Sequence, residues 1–415
     1  MHIGIAGPIA TENIAHLLGD DAAALPLGTG GAPLLATLIT ELLACGHQVT
    51  AFTTTGGYPQ PGYGAWRAEG ERFAIYYVPI RPRAFRPGGG YLGRAADCFR
   101  AERLGLECAM REARPDVVHA HWTYEFGLAA IASGLPHVIT CHDAPQVVLR
   151  YMPNLYRLVR YFMGRRCLAL ARFLTAVSPY MRDKVTHYAR VPIAVTPNPL
   201  PPRLTDRKID LSCLPDIHAP RLAMVANGWG PLKNPQPAMR AFARLHARVP
   251  GARLRLYGAD FGPGQMAEQW ARQEGVAAGM EFAGPLHYAR LLDELANADV
   301  LLHPSLEESF GMSVAEAMAL GIPVIGGVRS GAVPWVIGEG GLVTDVRSEH
   351  AIETALDTLL HVPEEYSRRR HAAVERARLV FSVSHVTEIY LDHYCEVIAQ
   401  ANHCVPNTIS LRIRT

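Results

Sequence analysis

Short runs rich in aliphatic and β-branched residues alternate with helix-period stretches along almost the whole chain. In the first half the pattern predicts strands at 2–6 (HIGIA), 48–53 (QVTAFT), 73–78 (FAIYYV), 116–119 (DVVH), 137–141 (HVITC), 173–177 (FLTAV) and 192–196 (PIAVT). Helical stripes lie between them: Leu34, Leu35, Leu38 and Leu42 share one face, and Gly46 then supplies a C-terminal stop. Residues 198–220 interrupt the rhythm with prolines and clustered charge, as a linker does. The alternation then restarts, with strands expected near 221–226, 253–257, 280–283, 299–303, 323–326 and 341–344. Three helical stretches follow from about 348 to 402. Strands that alternate with helices require a parallel sheet covered on both faces. The expected fold class is therefore α/β, with two Rossmann-like, doubly wound domains facing a cleft. Their expected bounds are 1–200 and 201–382, and the remaining 383–415 form a helix and tail that cross back to the first domain.

Bulk composition narrows the chemistry. A chain of 415 residues exceeds one ordinary core. Forty Lys plus Arg against 38 Asp plus Glu leave a net charge of +2, which gives no argument for nucleic acid and no general steering of anions. Affinity for an anionic ligand has to come from a local site. The eight cysteines show no C-x-x-C pair and no zinc spacing, so reduced thiols in a cytoplasmic protein are expected, with no metal. The opening MHIGIAGPIA reads as a buried strand rather than a signal segment, and no apolar run reaches the length of a membrane span.

Dinucleotide binding would need G-x-G-x-x-G after the first strand. GIAGPIATEN has glycines only at 4 and 7, and GTGGAP ends in Pro33 where the third glycine belongs. Gly30 and Gly31 nevertheless stand directly before a helix expected to start near Pro33. Backbone without Cβ atoms at a helix start suits an anion, although a plain tight loop has the same sequence. A second junction, AMVANGWGPLKNPQP, carries Asn227, Gly228 and Lys233 between a strand and a helix. Lys233 there is either a point charge for phosphate or a solvated surface lysine.

The stretch HPSLEESFGMSVAEAMALGIPVIGG places Glu308 before, and Glu316 inside, a helix expected over about 313–320. Ser313-x-x-Glu316 has the form of a capping box, which would occupy Glu316 with its own helix. The alternative is functional: each carboxylate accepts hydrogen bonds from sugar hydroxyls, while N–H groups at the helix start face phosphate between them. Ribose, diphosphate and sugar follow one another in that order in a nucleoside diphosphate sugar.

These segments resemble the retaining glycosyltransferases of glycosyltransferase family 4, which have the GT-B fold. The most specific match is P-S-x-x-E-S-F-G-x-x-x-x-E-A-M-A-x-G-x-P-V, from Pro304 to Val324. It is supported by GTGGAP, DVVHAHW, VITCHD, AVSPYM, TPNPL and SGAVPWVIGEGGLV in the family's order. The resemblance implies that Glu308 holds donor-sugar hydroxyls beside the backbone of Phe310, Gly311, Met312 and Ser313. It implies further that Glu316 takes the ribose diol, that Lys233 bears on the diphosphate, and that Gly30 and Gly31 add N–H groups. His121, of HAHW, would lie near the reacting sugar or the acceptor with His142, and FAGPLH, including Leu286, would hold the nucleobase. Two departures stand out: Asn227-Gly228-Trp229 replaces the Gly-Arg before the lysine, and Trp335 replaces the acid of G-G-x-P-E.

The implied activity is transfer of a hexose or N-acetylhexosamine from such a donor, UDP favoured, to a glycan, lipid-linked or small-molecule acceptor. No cofactor beyond this co-substrate is expected, and no nucleic acid. A GT-B nucleotide-sugar epimerase and an inactive sugar-binding partner are the alternatives. Asn198 is read as a turn residue. The basic run from Arg157 to Arg172 is read as a solvated helix face, the other reading being peripheral contact with an anionic membrane.

Overall fold

The computed structural model describes residues 1–19, 25–30, 33–56, 65–87 and 92–403. Two units emerge. The first comprises Met1–Ala176, Arg182–Thr196 and the chain from Thr387 onward; the second comprises Val177–Met181 and Pro197–Val386.

The first unit is built on β1 (His2–Ala6), β2 (Gln48–Thr55), β3 (Trp66–Gly70), β4 (Phe73–Pro79), β5 (Val117–His121), β6 (His137–Cys141), β7 (Leu174–Ala176) and β8 (Ile193–Val195). Their order in the sheet is β3-β4-β2-β1-β5-β6-β7-β8. All neighbours are parallel except β3, which runs antiparallel to β4 with Trp66 opposite Tyr77 and Gly70 opposite Phe73. Every residue of β5 and β6 is buried, as expected of central strands covered on both faces. The leucine stripe is confirmed on the helix Pro33–Ala44, where Leu34, Leu35, Leu38 and Leu42 are buried.

The strand β3 was not anticipated. WRAEG is polar and half exposed, because an edge strand shields little and needs no apolar alternation. The strand expected at 116–119 runs from Val117 to His121, with that histidine as its last residue. The linker also holds a short helix, Pro202–Thr205, whose Leu204 and Thr205 are buried.

The second unit contains β9 (Arg221–Val225), β10 (Arg253–Tyr257), β11 (Met280–Gly284), β12 (Val300–His303), β13 (Val324–Gly327) and β14 (Gly341–Thr344). All are parallel, in the order β11-β10-β9-β12-β13-β14. That is the doubly wound order 3-2-1-4-5-6, in which the direction of winding reverses between the first and fourth strands, here β9 and β12. The chain leaves the carboxyl ends of those two strands toward helices on opposite faces of the sheet, which puts the two loops side by side at the place where such sheets bind ligands. The first unit reverses likewise between β1 and β5. Topology alone therefore marks four loops as places for ligands, those after β1, β5, β9 and β12.

From Thr387 onward the final helix, Val383–His403, belongs to the first unit, where the Tyr394 hydroxyl meets His119 Nδ1 at 2.7 Å. Among the described residues the cysteines are unpaired, and Cys141 and Cys167 are buried.

Candidate functional site

In the second unit the switch point is filled by the loops after β9 and β12, and backbone bonds lock them together. The Leu306 N–H donates to the Leu232 carbonyl at 2.8 Å. Asn234, in the left-handed region at φ 48°, donates from Nδ2 to the carbonyls of Pro304 (3.1 Å) and Val346 (3.0 Å). Lys233 lies between these pins, so its Nζ reaches Glu308 Oε1 at 2.7 Å. His303, the last residue of β12, holds Nε2 3.6 Å from the same oxygen.

Burial alone would raise the Glu308 pKa. His303 and Lys233 outweigh that effect and hold it down at about 2. Glu308 is thus an ionised, acceptor-only carboxylate throughout the working pH range. Because its folded pKa is depressed, the pair stabilises the fold above the ordinary glutamate range. That contribution fades as pH falls from there toward about 2.

Glu316 lies in the opposite electrostatic situation. It is buried on the helix Met312–Ala319, and desolvation raises its pKa despite the Tyr288 hydroxyl, which donates to Oε1 at 2.7 Å, and the charge of Arg203. Arg203 itself lies 4.8 Å from the Tyr288 ring centre. The capping box, one of the two readings of Glu316, does not form. The N-cap is Gly311 rather than Ser313, no side chain caps the helix, and Glu316 turns to Tyr288 instead.

Gly311 has φ 96°, a conformation that L side chains rarely adopt, and its carbonyl accepts from Val314 (3.0 Å) and Ala315 (3.2 Å). The helix start beyond it presents N–H groups that have no intrahelical acceptor. Phe310 contributes only backbone to such a site, since its ring is buried against Phe381 and Trp335. Met312 and Ser313 are half-buried at the first turn.

The two departures from the family pattern have structural homes. Trp229 packs against Phe261 and Trp270, with centroids 5.9 and 5.5 Å away. Asn227 Oδ1 accepts from the Ala259 N–H at 3.2 Å, and the Gly228 N–H donates to the Ala259 carbonyl at 3.1 Å. Both therefore bind the loop after β10. Trp335 packs on Phe310 and Phe381 beneath the Arg376 guanidinium. Leu286 is half-buried after β11, two residues before Tyr288.

The first unit has its own cluster at its switch point. His121, at the end of β5, is buried. Its Nδ1 meets His142 Nε2 at 2.8 Å, and its Nε2 has no hydrogen-bond partner among the described residues. His142 stacks on Trp122 at 4.2 Å. Desolvation drives the His121 pKa well below its usual value and that of His142 to about 3, so both rings are neutral. A neutral pair shares one proton across the bond, which leaves His121 Nε2 able to donate to or accept from a hydroxyl according to tautomer. Gly30 is exposed and open around its Cα, and Thr29 beside it is anchored to the Thr54 carbonyl at 2.6 Å. Gly31 lies outside the described residues. Tyr288, Arg203 and His303 were not identified from sequence. Tyr288 directly follows the FAGPLH stretch, and His303 closes the strand before Glu308.

Both parts of the chain are similar to known proteins. The family described as Glycosyltransferase Family 4 matches residues 28–204, and that described as Glycosyl transferases group 1 matches residues 219–379. A D-inositol 3-phosphate glycosyltransferase of Corynebacterium glutamicum (strain R) is 36% identical over 179 residues, spanning 41% of this chain but only 42% of that protein. Its counterpart in Stackebrandtia nassauensis is 27% identical over 351 residues, 79% of this chain and 78% of the relative. Among solved structures, the sucrose-phosphate synthase of Thermosynechococcus elongatus has TM-score 0.72 at 17% identity, covering 96% of this chain and all of that one. An E. coli trehalose-6-phosphate structure bound with UDP-2-fluoro glucose gives TM-score 0.66 at 13% identity, covering 95% and 99%. With both parts of the chain matched in sequence, and the fold shared with these enzymes, the chain belongs to the family 4 glycosyltransferases of the GT-B fold.

Proposed function

We propose that the protein is a retaining glycosyltransferase. It would move a hexose or N-acetylhexosamine from a nucleoside diphosphate sugar, UDP favoured, to a hydroxyl of a small-molecule, glycan or lipid-linked acceptor. The observation that carries this reading is the meeting of Lys233 and Glu308 at the second unit's switch point, with Glu316 on the helix that follows. The relatives' D-inositol 3-phosphate acceptor supports a small polyol, and the UDP sugar bound by the E. coli neighbour supports uridine.

In this reading the donor diphosphate takes over Lys233, and the carboxylate of Glu308 turns to the hydroxyls of the sugar. Breaking the anomeric C–O bond puts further negative charge on the diphosphate. Lys233 and the N–H groups at the helix start then stabilise that leaving group, in a geometry fixed before reaction. Retention follows from attack on the face the diphosphate leaves, with a leaving phosphate oxygen accepting the acceptor proton. His121 Nε2 would serve as a hydrogen-bonding partner to sugar or acceptor.

A thermal-shift panel of UDP, GDP, ADP and TDP tests the donor class, followed by mass spectrometry of the products made with the matching sugar donor. One diphosphate is expected to stabilise the protein and its sugar donor to yield a glycosylated acceptor. An epimerised or hydrolysed donor with no acceptor product would overturn transfer, and a panel without any stabilisation would remove the donor site.

Glu316 adds a pH signature. Holding a diol requires the ionised carboxylate, whose pKa burial raises, so donor affinity should decline as pH drops through the mildly acidic range. Tyr288→Phe removes a bond that favours ionisation and should move this decline to higher pH. Calorimetric titrations of donor across pH read the shift; overlapping profiles for the two proteins would contradict the role.

A further inference from the structure

The helix Leu155–Leu170 carries its apolar residues on the wrong side for a simple surface helix. Leu155 is 60% exposed, Phe162 56% and Leu158 37%, and these positions fall on one face at helical spacing. Arg165, Arg166 and Leu170 complete the same face, and the preceding turn adds Tyr151 and Met152, both exposed. Meanwhile Met163, Gly164, Cys167 and Leu168 pack inward, so the helix is anchored by its other side. Residues 144–173 hold six arginines and no carboxylate, in a chain whose overall balance is only +2. Arg160 is occupied inside, against Glu125 at 3.1 Å and over the Tyr124 ring at 3.7 Å. Arg150, Arg165, Arg166 and Arg172 are exposed, and Arg165 and Arg166 flank the apolar face, whereas Arg157 is half-buried on the other side of the helix.

We infer that this face, from Arg150 to Leu170, is a docking surface for an anionic lipid bilayer. The helix lies flat in the headgroup region, with Leu155, Leu158 and Phe162 entering the acyl boundary. An amphipathic helix of this kind combines apolar burial with attraction to acidic headgroups. Charge decides among occupants. A second copy would set arginines against arginines with no carboxylate to meet them. Nucleic acid would satisfy the arginines but offer no apolar phase for Leu155 and Phe162. The inference replaces the solvated-face reading of the basic run, because a solvated face would not gather three large apolar side chains at its centre. Among the described residues no helix is long and apolar enough to cross a membrane, so the contact is peripheral.

Sedimentation of the purified full chain with vesicles tests this, using phosphatidylcholine alone or mixed with phosphatidylglycerol. Binding is expected only to the mixed vesicles, and it should weaken as salt shortens the screening length. Arg165→Gln combined with Arg166→Gln should weaken partitioning about 25-fold, at about fivefold per charge. Leu158→Ser combined with Phe162→Ser should lower it by at least about tenfold through lost apolar burial. Both pairs are exposed, so melting temperature and nucleotide-induced stabilisation should match wild type, which separates this surface from the donor site. Absence of wild-type binding to the mixed vesicles would overturn the inference. So would equal binding to neutral vesicles, undiminished binding of both variants, or instead a dimer or an oligonucleotide complex that Phe162→Ser abolishes.

Discussion

Lys233→Ala is expected to lower turnover by about 10²–10³-fold, the usual loss when one preorganised charge stabiliser is removed. Its melting temperature should fall only slightly, because the ion pair it loses is partly exposed. The effect depends on where Lys233 is held as well as on its charge. Leu232 and Asn234, on either side, are tied by backbone and side-chain bonds to the loop after β12, so the ammonium is aimed before any ligand arrives. Removing it leaves Glu308 with His303 as its neighbour, which limits the cost to folding. Steady-state kinetics with the donor identified by the nucleotide panel reads the effect. Near wild-type turnover would remove Lys233 from the leaving-group site.

The largest effect on stability is expected far from that site. Arg81, buried in the first unit, donates from Nε (2.9 Å) and Nη2 (2.7 Å) to the two oxygens of fully buried Glu102. Its Nη1 and Nη2 also reach Asp97 at 2.9 and 2.8 Å. The Glu102 hydrogen bond is the main reason the guanidinium is held above its ordinary pKa. Glu102→Ala leaves a buried charge with half its partners, and breaking such a pair costs about 3–5 kcal/mol. Urea unfolding followed on the first unit should show that loss. A change below about 1 kcal/mol, the scale of an exposed pair, would mean that water or Asp97 compensates fully.

Much of this architecture is legible in the chain because parallel strands, buried on both faces, must be continuous aliphatic runs. β5, β6, β12 and β13 announce themselves for that reason. The edge strand β3 does not, since WRAEG sits where burial makes no demand on sequence. The two glutamates and Lys233 are legible through their positions around predicted strands, and the strand order then explains why those loops converge. What local sequence could not show is the partner of each. Ser313-x-x-Glu316 satisfies the capping pattern, yet Glu316 bonds to a tyrosine 28 positions earlier in the chain. His303 and Glu308 flank one turn, and only the fold reveals that Lys233, 75 positions earlier, lies against Glu308. Pairings across a parallel sheet depend on strand order, which periodicity does not encode. The exposed apolar face of Leu155–Leu170 was hidden similarly: periodicity shows that a helix is amphipathic without showing which face turns inward.

Lys233 is expected to seat the diphosphate and Glu316 to hold the ribose. Calorimetric titration of UDP and 2′-deoxy-UDP into wild type, Lys233→Ala and Glu316→Gln tests this most directly. Wild type should prefer the ribonucleotide. Lys233→Ala should weaken both ligands by the same factor and keep that preference, whereas Glu316→Gln should weaken UDP and erase it. A Glu316→Gln protein that still distinguishes UDP from its deoxy form as wild type does would contradict the account.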